Sequence, residues 1–398
     1  MDSVSLQEVL QRHPSLREVV KAADRVGVCL VGGSVRDLLL DRVDGADIDV
    51  VVEGDAVQVA RVAAADLSAR VATHERFGTA EIHLPDGRWI DLVSARRETY
   101  PVAGALPVVQ AGTLDDDLAR RDITVNAMAI RLNGEAAGEI VDPCDGRHDL
   151  AARLVRIMHP ESFADDPSRV LRVARYGARL DFAVEAVTRR AAERAAPDLD
   201  LTSARVAEEL VRTLQEPAAV PALALAARLG VSWIADLDTI RAEFAALDTA
   251  VGVSSAPNVP VWPLRLGVAV QPQWLERDVA IDGWALSMAR AVPTARTLAG
   301  RLHGQMRMSQ VDDLLRPVAP PVAVAARAFG ADHVDAWWQA TATLDLAVTG
   351  HDLIQAGVVP GPQLGRGLAW LRGQMLDGTA PATRDDQLTA VVDYIQRQ

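Results

Sequence analysis

The sequence predicts an α/β unit at the N-terminus followed by an all-helical remainder. Between residue 28 and about residue 94, short apolar runs alternate with turn signals around one alanine-rich helical segment. Beyond Asp142-Pro143 the chain is rich in alanine, arginine and leucine and reads as helical almost to its end. Apolar residues make up 49% of the 398-residue chain, which is enough to bury a sizeable core.

The elements of the α/β unit are predicted in order from their periodicity. Residues 1–24 predict an amphipathic helix broken at Pro14, and residues 55–70 are helical by composition. Strands are predicted over four apolar segments that end in turn residues: 28–31, 47–52, 80–84 and 88–93. Residues 96–118 have no clear period and predict a mobile loop, and a helical pattern resumes over 114–130.

Proline clusters divide the helical remainder. The predicted domains are an N-terminal helix and α/β head over 1–145, a neck over 146–215, a helical body over 216–340 and a helical tail over 341–398.

Composition limits the possible partners. A net charge of -13 argues against indiscriminate nucleic-acid binding, but it leaves room for a local basic face. Two cysteines imply no disulfide framework and suggest a reducing compartment. The N-terminus does not resemble a signal peptide, and no stretch approaches the ~20 apolar residues of a membrane helix. We therefore expect a cytoplasmic protein with no membrane contact and no obligate protein partner.

A glycine turn follows the first predicted strand, within residues 30–37 (LVGGSVRD). Gly32 and Gly33 let backbone approach a phosphate closely, and Ser34 is a good residue to begin a helix. Amides at a helix N-terminus donate hydrogen bonds and carry a partial positive charge. The turn predicts a phosphate-binding loop, although a Gly-Gly pair in this position is common by itself.

Two aspartates lie two residues apart on the next predicted strand. Alternate strand residues share a face, so Asp47 and Asp49 converge about 6–7 Å apart. Such a pair suits Mg²⁺, and two ions about 3.5–4 Å apart activate an attacking hydroxyl and stabilise leaving pyrophosphate. The alternative is a solvated strand end, but the buried run 50–52 disfavours it. Asp91, an acid among apolar strand residues, is either a third metal ligand or an edge residue that faces water.

Residues 32–37 (GGSVRD) and 47–49 (DID) together resemble the head motif of class II bacterial tRNA nucleotidyltransferases and poly(A) polymerases. Residues 120–129 (RRDITVNAMA) resemble the next signature of that family. The resemblance implies a polymerase-β-like nucleotidyltransferase head with Asp47, Asp49 and Asp91 as catalytic residues, the first two holding Mg²⁺. It also implies that a set of residues in both motifs binds the nucleotide: Gly32, Gly33, Ser34, Arg36, Arg121, Asp122 and Asn126.

Residues 164–176 (ADDPSRVLRVARY) predict the opening of a helix, with Pro167 at its first position. The family has a Glu-Asp-x-x-Arg motif here, whose Asp and Arg read the incoming base; Asp165 replaces the Glu. An arginine donates to N3 and O2 of cytosine while a carboxylate accepts from its N4 amino group, and adenine fits after a small rotation. Uracil and guanine have the wrong polarity. The resemblance assigns nucleotide selection to this segment: Asp165, Asp166, Arg169, Arg172 and Arg175.

The resemblance implies template-independent addition of CMP and AMP, from CTP and ATP, to the 3′ end of tRNA, with two Mg²⁺ ions and release of pyrophosphate. It implies contact with the tRNA 3′ end and with the acceptor and elbow region, the latter through a tail marked by residues 350–357 (GHDLIQAG). Three products remain open within the family: CC only, A only, or a poly(A) tail. A catalytically silent RNA-binding protein and a nucleotidyltransferase for a small molecule are alternatives from other classes.

Overall fold

The computed structural model describes residues 5–42, 47–99, 108–251 and 259–398, without the side chains of Asp47 and Thr99. The chain forms two compact units. The first contains residues 1–200 and 216–232, and the second contains residues 201–215 and 233–398. The finer division expected from the sequence, with boundaries after residues 145, 215 and 340, stays a prediction.

A seven-stranded mixed sheet lies at the centre of the first unit. Its strands are β1 (Val28–Val31), β2 (Asp47–Val52), β3 (Arg70–His74), β4 (Thr79–His83), β5 (Trp89–Ser94), β8 (Ala129–Arg131) and β9 (Ile140–Val141). The strand order is β3-β4-β5-β2-β1-β8-β9, and only β2 and β5 pair in parallel. The four strands predicted from apolar runs are confirmed to within about one residue at each end.

The central strands consist of buried aliphatic residues, as expected for strands covered on both faces. All four residues of β1 are buried. In β2, Ile48 and the run 50–52 are buried, whereas Asp49 is only half-buried. Asp49 therefore lies at the rim of the apolar core, as the sequence predicts.

Four helices accompany these strands: α1 (Leu6–Arg12), α2 (Leu16–Ala22), α3 (Gly33–Leu39) and α4 (Ala56–Asp66). α4 packs against α2 and against β3, β4 and β5. It begins where the Asp55 side chain accepts a hydrogen bond from the Gln58 amide at 3.0 Å. The predicted N-terminal helix with a break at Pro14 is confirmed as α1 and α2, although its first four residues lie outside the described residues.

The segment 96–130 departs from the prediction. β6 (Arg96–Thr99) and β7 (Val108–Ala111) pair as an antiparallel hairpin, so the prediction of a loop without period is wrong for them. Residues 100–107 of that loop lie outside the described residues. Helix α5 (Leu114–Ala119) ends early and is followed by a 3₁₀ turn over Thr124–Asn126 and by β8, so the helix predicted up to residue 130 is also wrong. The β-branched run 123–125 favours extended backbone.

The rest of the first unit is helical, with one two-stranded ladder. Its elements are α6 (Gly146–Ala152), β10 (Leu154–Val155), α7 (Ser162–Asp165), α8 (Arg169–Leu180), β11 (Ala183–Val184), α9 (Ala186–Ala195) and α11 (Ala219–Arg228). The prediction that Pro167 occupies the first position of a helix is wrong, because α8 begins two residues later. Asp166 is extended, with φ -145° and ψ 98°, as expected for a residue that precedes proline.

The second unit is entirely helical in the residues that the structure describes. It contains α10 (Ala204–Gln215), α12 (Leu237–Val251), α13 (Trp262–Ala269), α14 (Pro272–Leu275), α15 (Gly283–Arg290), α16 (Val292–Arg301), α17 (Met308–Leu315), α18 (Pro320–Ala328), α19 (Val334–Ala342), α20 (Gly350–Gln355), α21 (Pro362–Leu376) and α22 (Arg384–Gln396). The last three share a small core around Leu353, Leu371 and Val391. Across the described ranges, the helices are all too short or too polar to cross a membrane.

Candidate active site

Gly32 connects β1 to α3 with a φ of +71°, a conformation that favours glycine. A Cβ built on Gly32 would lie 2.6 Å from Arg121 Nη1 and 3.3 Å from Asp49 Oδ2. The turn therefore brings backbone, a guanidinium group and a carboxylate into contact. Gly32 is also the N-cap residue of α3, so the prediction that Ser34 begins the helix is wrong. The Ser34 hydroxyl oxygen instead accepts a hydrogen bond from the Asp49 amide at 3.4 Å.

We expect Gly32→Ala to weaken binding of ATP and CTP by at least about tenfold, because the new methyl group would displace the Arg121 guanidinium and strain the turn. Isothermal titration with each nucleotide measures this change. Gly134→Ala is the matched control: Gly134 has a φ of +77°, but a Cβ there meets nothing within 4 Å. Equal nucleotide affinities in the two variants would contradict the assignment of the turn.

A row of carboxylates crosses the sheet beside this turn. Asp49 of β2 is the register partner of Asp91 of β5, so the prediction that their strands are neighbours is confirmed. Asp47 begins β2 opposite Trp89. Glu81 of β4 pairs with Asp91 on the other side and extends the row. Sequence analysis missed Glu81, although residues 79–83 alternate apolar and polar types. Among the described side chains, which exclude that of Asp47, no group of three or more His, Cys, Asp or Glu could hold a metal.

Asp117, which the sequence analysis did not single out, positions the arginine pair 120–121. Its carboxylate is fully buried and pairs with Arg120 Nη2 at 2.6 Å and with Arg121 Nη2 at 3.1 Å. The spacing of three and four residues was the available signal. Arg121 Nη1 also donates to the Asn126 carbonyl at 3.2 Å. Arg121 Nε is buried without a hydrogen-bond partner in the described residues, which favours an anionic ligand at this position.

Four of the predicted nucleotide-binding residues form one buried network. Arg36 Nη1 donates to Asn126 Oδ1 at 2.6 Å, and two further nitrogens of Arg36 donate to Asp37 at 2.8 Å each. Asn126 Nδ2 donates to Asp122 Oδ1 at 3.4 Å, although no helix joins them. Arg172 Nε donates to Asp122 Oδ2 at 2.8 Å. The network therefore links α3, which follows the glycine turn, to α8.

The Asp122 carboxyl is strongly acidic in the folded protein. Burial would raise its pKa, but the charge and hydrogen bond of Arg172, the Ile123 amide and the charge of Arg169 together lower it to about 2, against 3.8 ordinarily. A carboxyl whose pKa is lowered by folding stabilises the fold above its unfolded pKa. That contribution decreases as the pH falls from about 4 towards 2.

We expect Asp122→Asn to reduce the free energy of unfolding by about 2 kcal/mol at pH 7, and by progressively less between pH 4 and pH 2. Urea unfolding followed by circular dichroism over pH 3–7 measures the difference. Asp198→Asn, at an exposed position of the same unit, should show no such dependence. A constant difference between Asp122→Asn and the wild type over this range would contradict the role of the Arg172 pair.

Arg169 lies at the first position of α8 and is only 6% exposed. Its Nη1 donates to Ser162 Oγ at 2.7 Å, and its Nη2 donates to the Arg120 carbonyl at 3.2 Å. With the Ser162 carbonyl, which accepts from Nη1 at 3.4 Å, three neutral acceptors hold the guanidinium next to the arginine pair of the head. The family motif implies that Arg169 reads the base, and this support would fix the direction of its donors.

The two predicted aspartates lie just before α8. Asp166 Oδ1 accepts hydrogen bonds from the Ser168 amide at 3.0 Å and the Ser168 hydroxyl at 2.6 Å. Asp165 ends α7, and its Oδ2 lies 3.5 Å from His159 Nε2. Asp166 thus lies between α7 and α8, shortly before Arg169 in the chain, and Asp165 is the last residue of α7.

Arg172 and Arg175 follow along α8 and are each held by an acid. Arg172 pairs with Asp122, and Arg175 Nη1 pairs with Glu216 Oε1 at 3.1 Å. Arg175 is largely buried, whereas Arg172 is about one quarter exposed. Both arginines therefore attach α8 to its surroundings in the first unit.

Comparisons with known proteins show which proteins this chain is similar to. Residues 28–156 match the model of the poly A polymerase head domain. The chain is 32% identical to the A-adding tRNA nucleotidyltransferase of Halalkalibacterium halodurans, over 91% of this chain and 87% of that protein. It is 33% identical to the CC-adding tRNA nucleotidyltransferase of Deinococcus radiodurans, over 94% and 91% of the two chains. The Thermotoga maritima CCA-adding enzyme complexed with tRNA superposes with a TM-score of 0.71 and 25% identity, covering 99% of this chain and 100% of that chain.

Proposed function

The chain belongs to the class II tRNA nucleotidyltransferase and poly(A) polymerase family, and on this premise we propose that it adds CMP and AMP to the 3′ end of tRNA without a nucleic-acid template. The proposed product is CCA, built from CTP and ATP by successive transfers. The observation that carries the proposal is the meeting of Gly32, Asp49 and Arg121 at one turn of the sheet. That turn offers backbone, carboxylate and guanidinium groups to one triphosphate.

In each transfer the 3′-hydroxyl oxygen of the RNA attacks the α-phosphorus, the bond to the bridging oxygen breaks, and pyrophosphate leaves. Asp47 and Asp49, with Asp91 beside them, would hold two Mg²⁺ ions, which would supply Lewis-acid activation of the hydroxyl and neutralise the charge on the leaving group. The donor set fits this metal, because carboxylate oxygens are hard ligands and Asp49 and Asp91 are register partners on neighbouring strands.

The other residues of the site bind the nucleotide and select its base. Glycine at position 32 lets the Arg121 guanidinium lie against the backbone of the turn, and Arg121 Nε provides a donor that lacks a partner among the described residues. Asp166 and Arg169 present an acceptor and donors at the start of α8, which match the edges of cytosine and adenine. Uracil and guanine would place a ring N–H donor, at N3 or N1, against the buried Arg169 guanidinium, where cytosine and adenine offer an acceptor.

The RNA partner is proposed to be tRNA, held at its 3′ end by the first unit and along its acceptor and elbow region by the helical unit. An A-form stem is recognised through its phosphates, shape and 2′-hydroxyl groups. Because the net charge is -13, we expect the binding face to consist of local arginine clusters. A cytoplasmic location, where tRNA and nucleotides are available, is part of the same proposal.

Three tRNA transcripts test the product. One ends before the first C, one ends after the first C, and one ends after CC; each is incubated with each NTP alone and then with CTP plus ATP. A CCA-adding protein extends the first two with CTP and the third with ATP, and it incorporates little UTP or GTP. Product sequencing identifies the added nucleotides.

The same experiment separates the remaining candidates. Extension of the CC transcript alone indicates an A-adding protein, and extension that stops at CC indicates a CC-adding protein. Long A tails on any RNA indicate a poly(A) polymerase. Absence of transfer to every transcript would contradict the proposed function and favour an RNA-binding protein without catalysis.

A further inference from the structure

Three guanidinium groups surround the ring of Tyr176 on α8. Arg175 lies 4.6 Å, Arg36 5.5 Å and Arg172 5.9 Å from the ring centroid. Three positive charges so close together repel one another unless other groups hold them. The face of an aromatic ring attracts cations, and it does so more strongly where water is excluded. Tyr176 is half-buried, and its ring is the contact that the three guanidinium groups share.

Each of these arginines also has a carboxylate partner, which for Arg36 is its neighbour on α3 and for Arg172 and Arg175 lies outside α8. Arg36 pairs with Asp37, Arg172 pairs with Asp122, and Arg175 pairs with Glu216. Burial lowers the pKa of Arg36, but the hydrogen bond and charge of Asp37, with Tyr176 and Asp122, raise it above its usual value. The carboxylates offset the repulsion between the guanidinium groups, and the ring lets the three converge.

The cluster joins the glycine turn to the base-reading end of α8. Arg36 belongs to α3, whose N-cap residue is Gly32, whereas Arg172 and Arg175 belong to α8. Arg169 stands at the start of α8, almost two helical turns before Tyr176. A shift of α8 relative to α3 would therefore move Arg169 relative to the triphosphate.

We propose that Tyr176 is a positioning residue for nucleotide selection, whose ring holds Arg36 of α3 against Arg172 and Arg175 of α8. The aromatic ring, and not the hydroxyl group, carries this role. This inference rests on the proposed function, because it concerns the same nucleotide site. It assigns the discrimination between bases partly to a residue outside the Asp166 and Arg169 pair.

Tyr176→Leu removes the ring, and Tyr176→Phe keeps it. For Tyr176→Leu we expect KM for CTP and ATP to rise about tenfold and the preference for CTP over UTP to fall about tenfold, with kcat changed less. For Tyr176→Phe we expect all three quantities within about twofold of the wild type. Steady-state transfer to the three tRNA transcripts measures them, and isothermal titration measures nucleotide affinity independently of transfer.

Phe182→Leu is the matched control. Phe182 follows the same helix, is buried, and carries the Arg153 guanidinium 5.6 Å from its ring centroid, but no contact with α3 or the network is described for it. We expect a similar loss of thermal stability with unchanged base preference. The inference is overturned if Tyr176→Leu loses stability but keeps its base preference, or if Tyr176→Phe fails like Tyr176→Leu. If the wild type transfers no nucleotide, the proposed function fails instead, and the affinities from titration still decide the role of Tyr176.

Discussion

Replacing Asp49 with asparagine is expected to reduce nucleotide transfer by at least about a thousandfold, with CTP and with ATP alike. Asparagine has nearly the same shape, and the backbone amide at this position still donates to the Ser34 hydroxyl oxygen. What is lost is one negative charge at the point where metal and triphosphate meet. Single-turnover transfer to the CC-ending transcript with ATP, and to the shortest transcript with CTP, measures the effect.

The fold should survive this change. Asp49 is only half-buried and asparagine keeps the shape of its side chain, so the melting temperature should change by no more than a few degrees. Glu135→Gln, which neutralises an exposed acid of the same unit, is the control and should keep full activity. An Asp49→Asn protein with more than a tenth of wild-type activity would mean that the catalytic carboxylates lie elsewhere.

Replacing Arg169 with alanine is expected to remove base selection as well as activity. The guanidinium is buried, and its removal also leaves Ser162 Oγ and the Arg120 carbonyl without this donor. We expect kcat/KM for CTP to fall about a hundredfold and the preference for CTP over UTP to fall to about tenfold or less. Competition between labelled CTP and UTP on the shortest transcript measures the preference.

Arg169→Lys tests whether charge alone is sufficient. Lysine keeps the positive charge but cannot present the planar fork, so we expect it to restore stability without restoring base preference. Arg194→Ala, at an exposed arginine of α9, is the control for loss of a positive charge and should leave both quantities unchanged. Full base preference in Arg169→Ala would show that another residue reads the base.

The strands that carry the site were predictable because each is a short aliphatic run closed by a turn. The runs 28–31 and 47–52 needed no knowledge of the rest of the chain. The structure of segment 114–130 was not predictable in this way. An apolar spacing that suits a helix also occurs in a buried turn followed by a strand. Residues 127–130 are fully buried there, and burial in the sheet outweighs the local helical pattern.

The motifs identified which residues meet at the site but not how they bond. Arg36 and Asn126 are 90 positions apart, and Asp122 and Arg172 are 50 positions apart, so no local rule joins them. Three roles stay predictions from the motifs: metal binding by Asp91, triphosphate binding by Arg121 and base reading by Arg169. Glu81 and Tyr176 were missed because the first becomes relevant only through strand register, and the second only through the arginines that surround it.

The parallel pairing of β2 with β5 sets the moment during synthesis at which the site can form. The row of Asp49 and Asp91 requires that α4, β3 and β4 have already left the ribosome, because these elements lie between the two strands in the chain. Arg121 and Asn126 emerge later, and Arg169 emerges later still. A nascent chain that stops before α8 therefore has the row of carboxylates but lacks Arg169, to which we assign base selection.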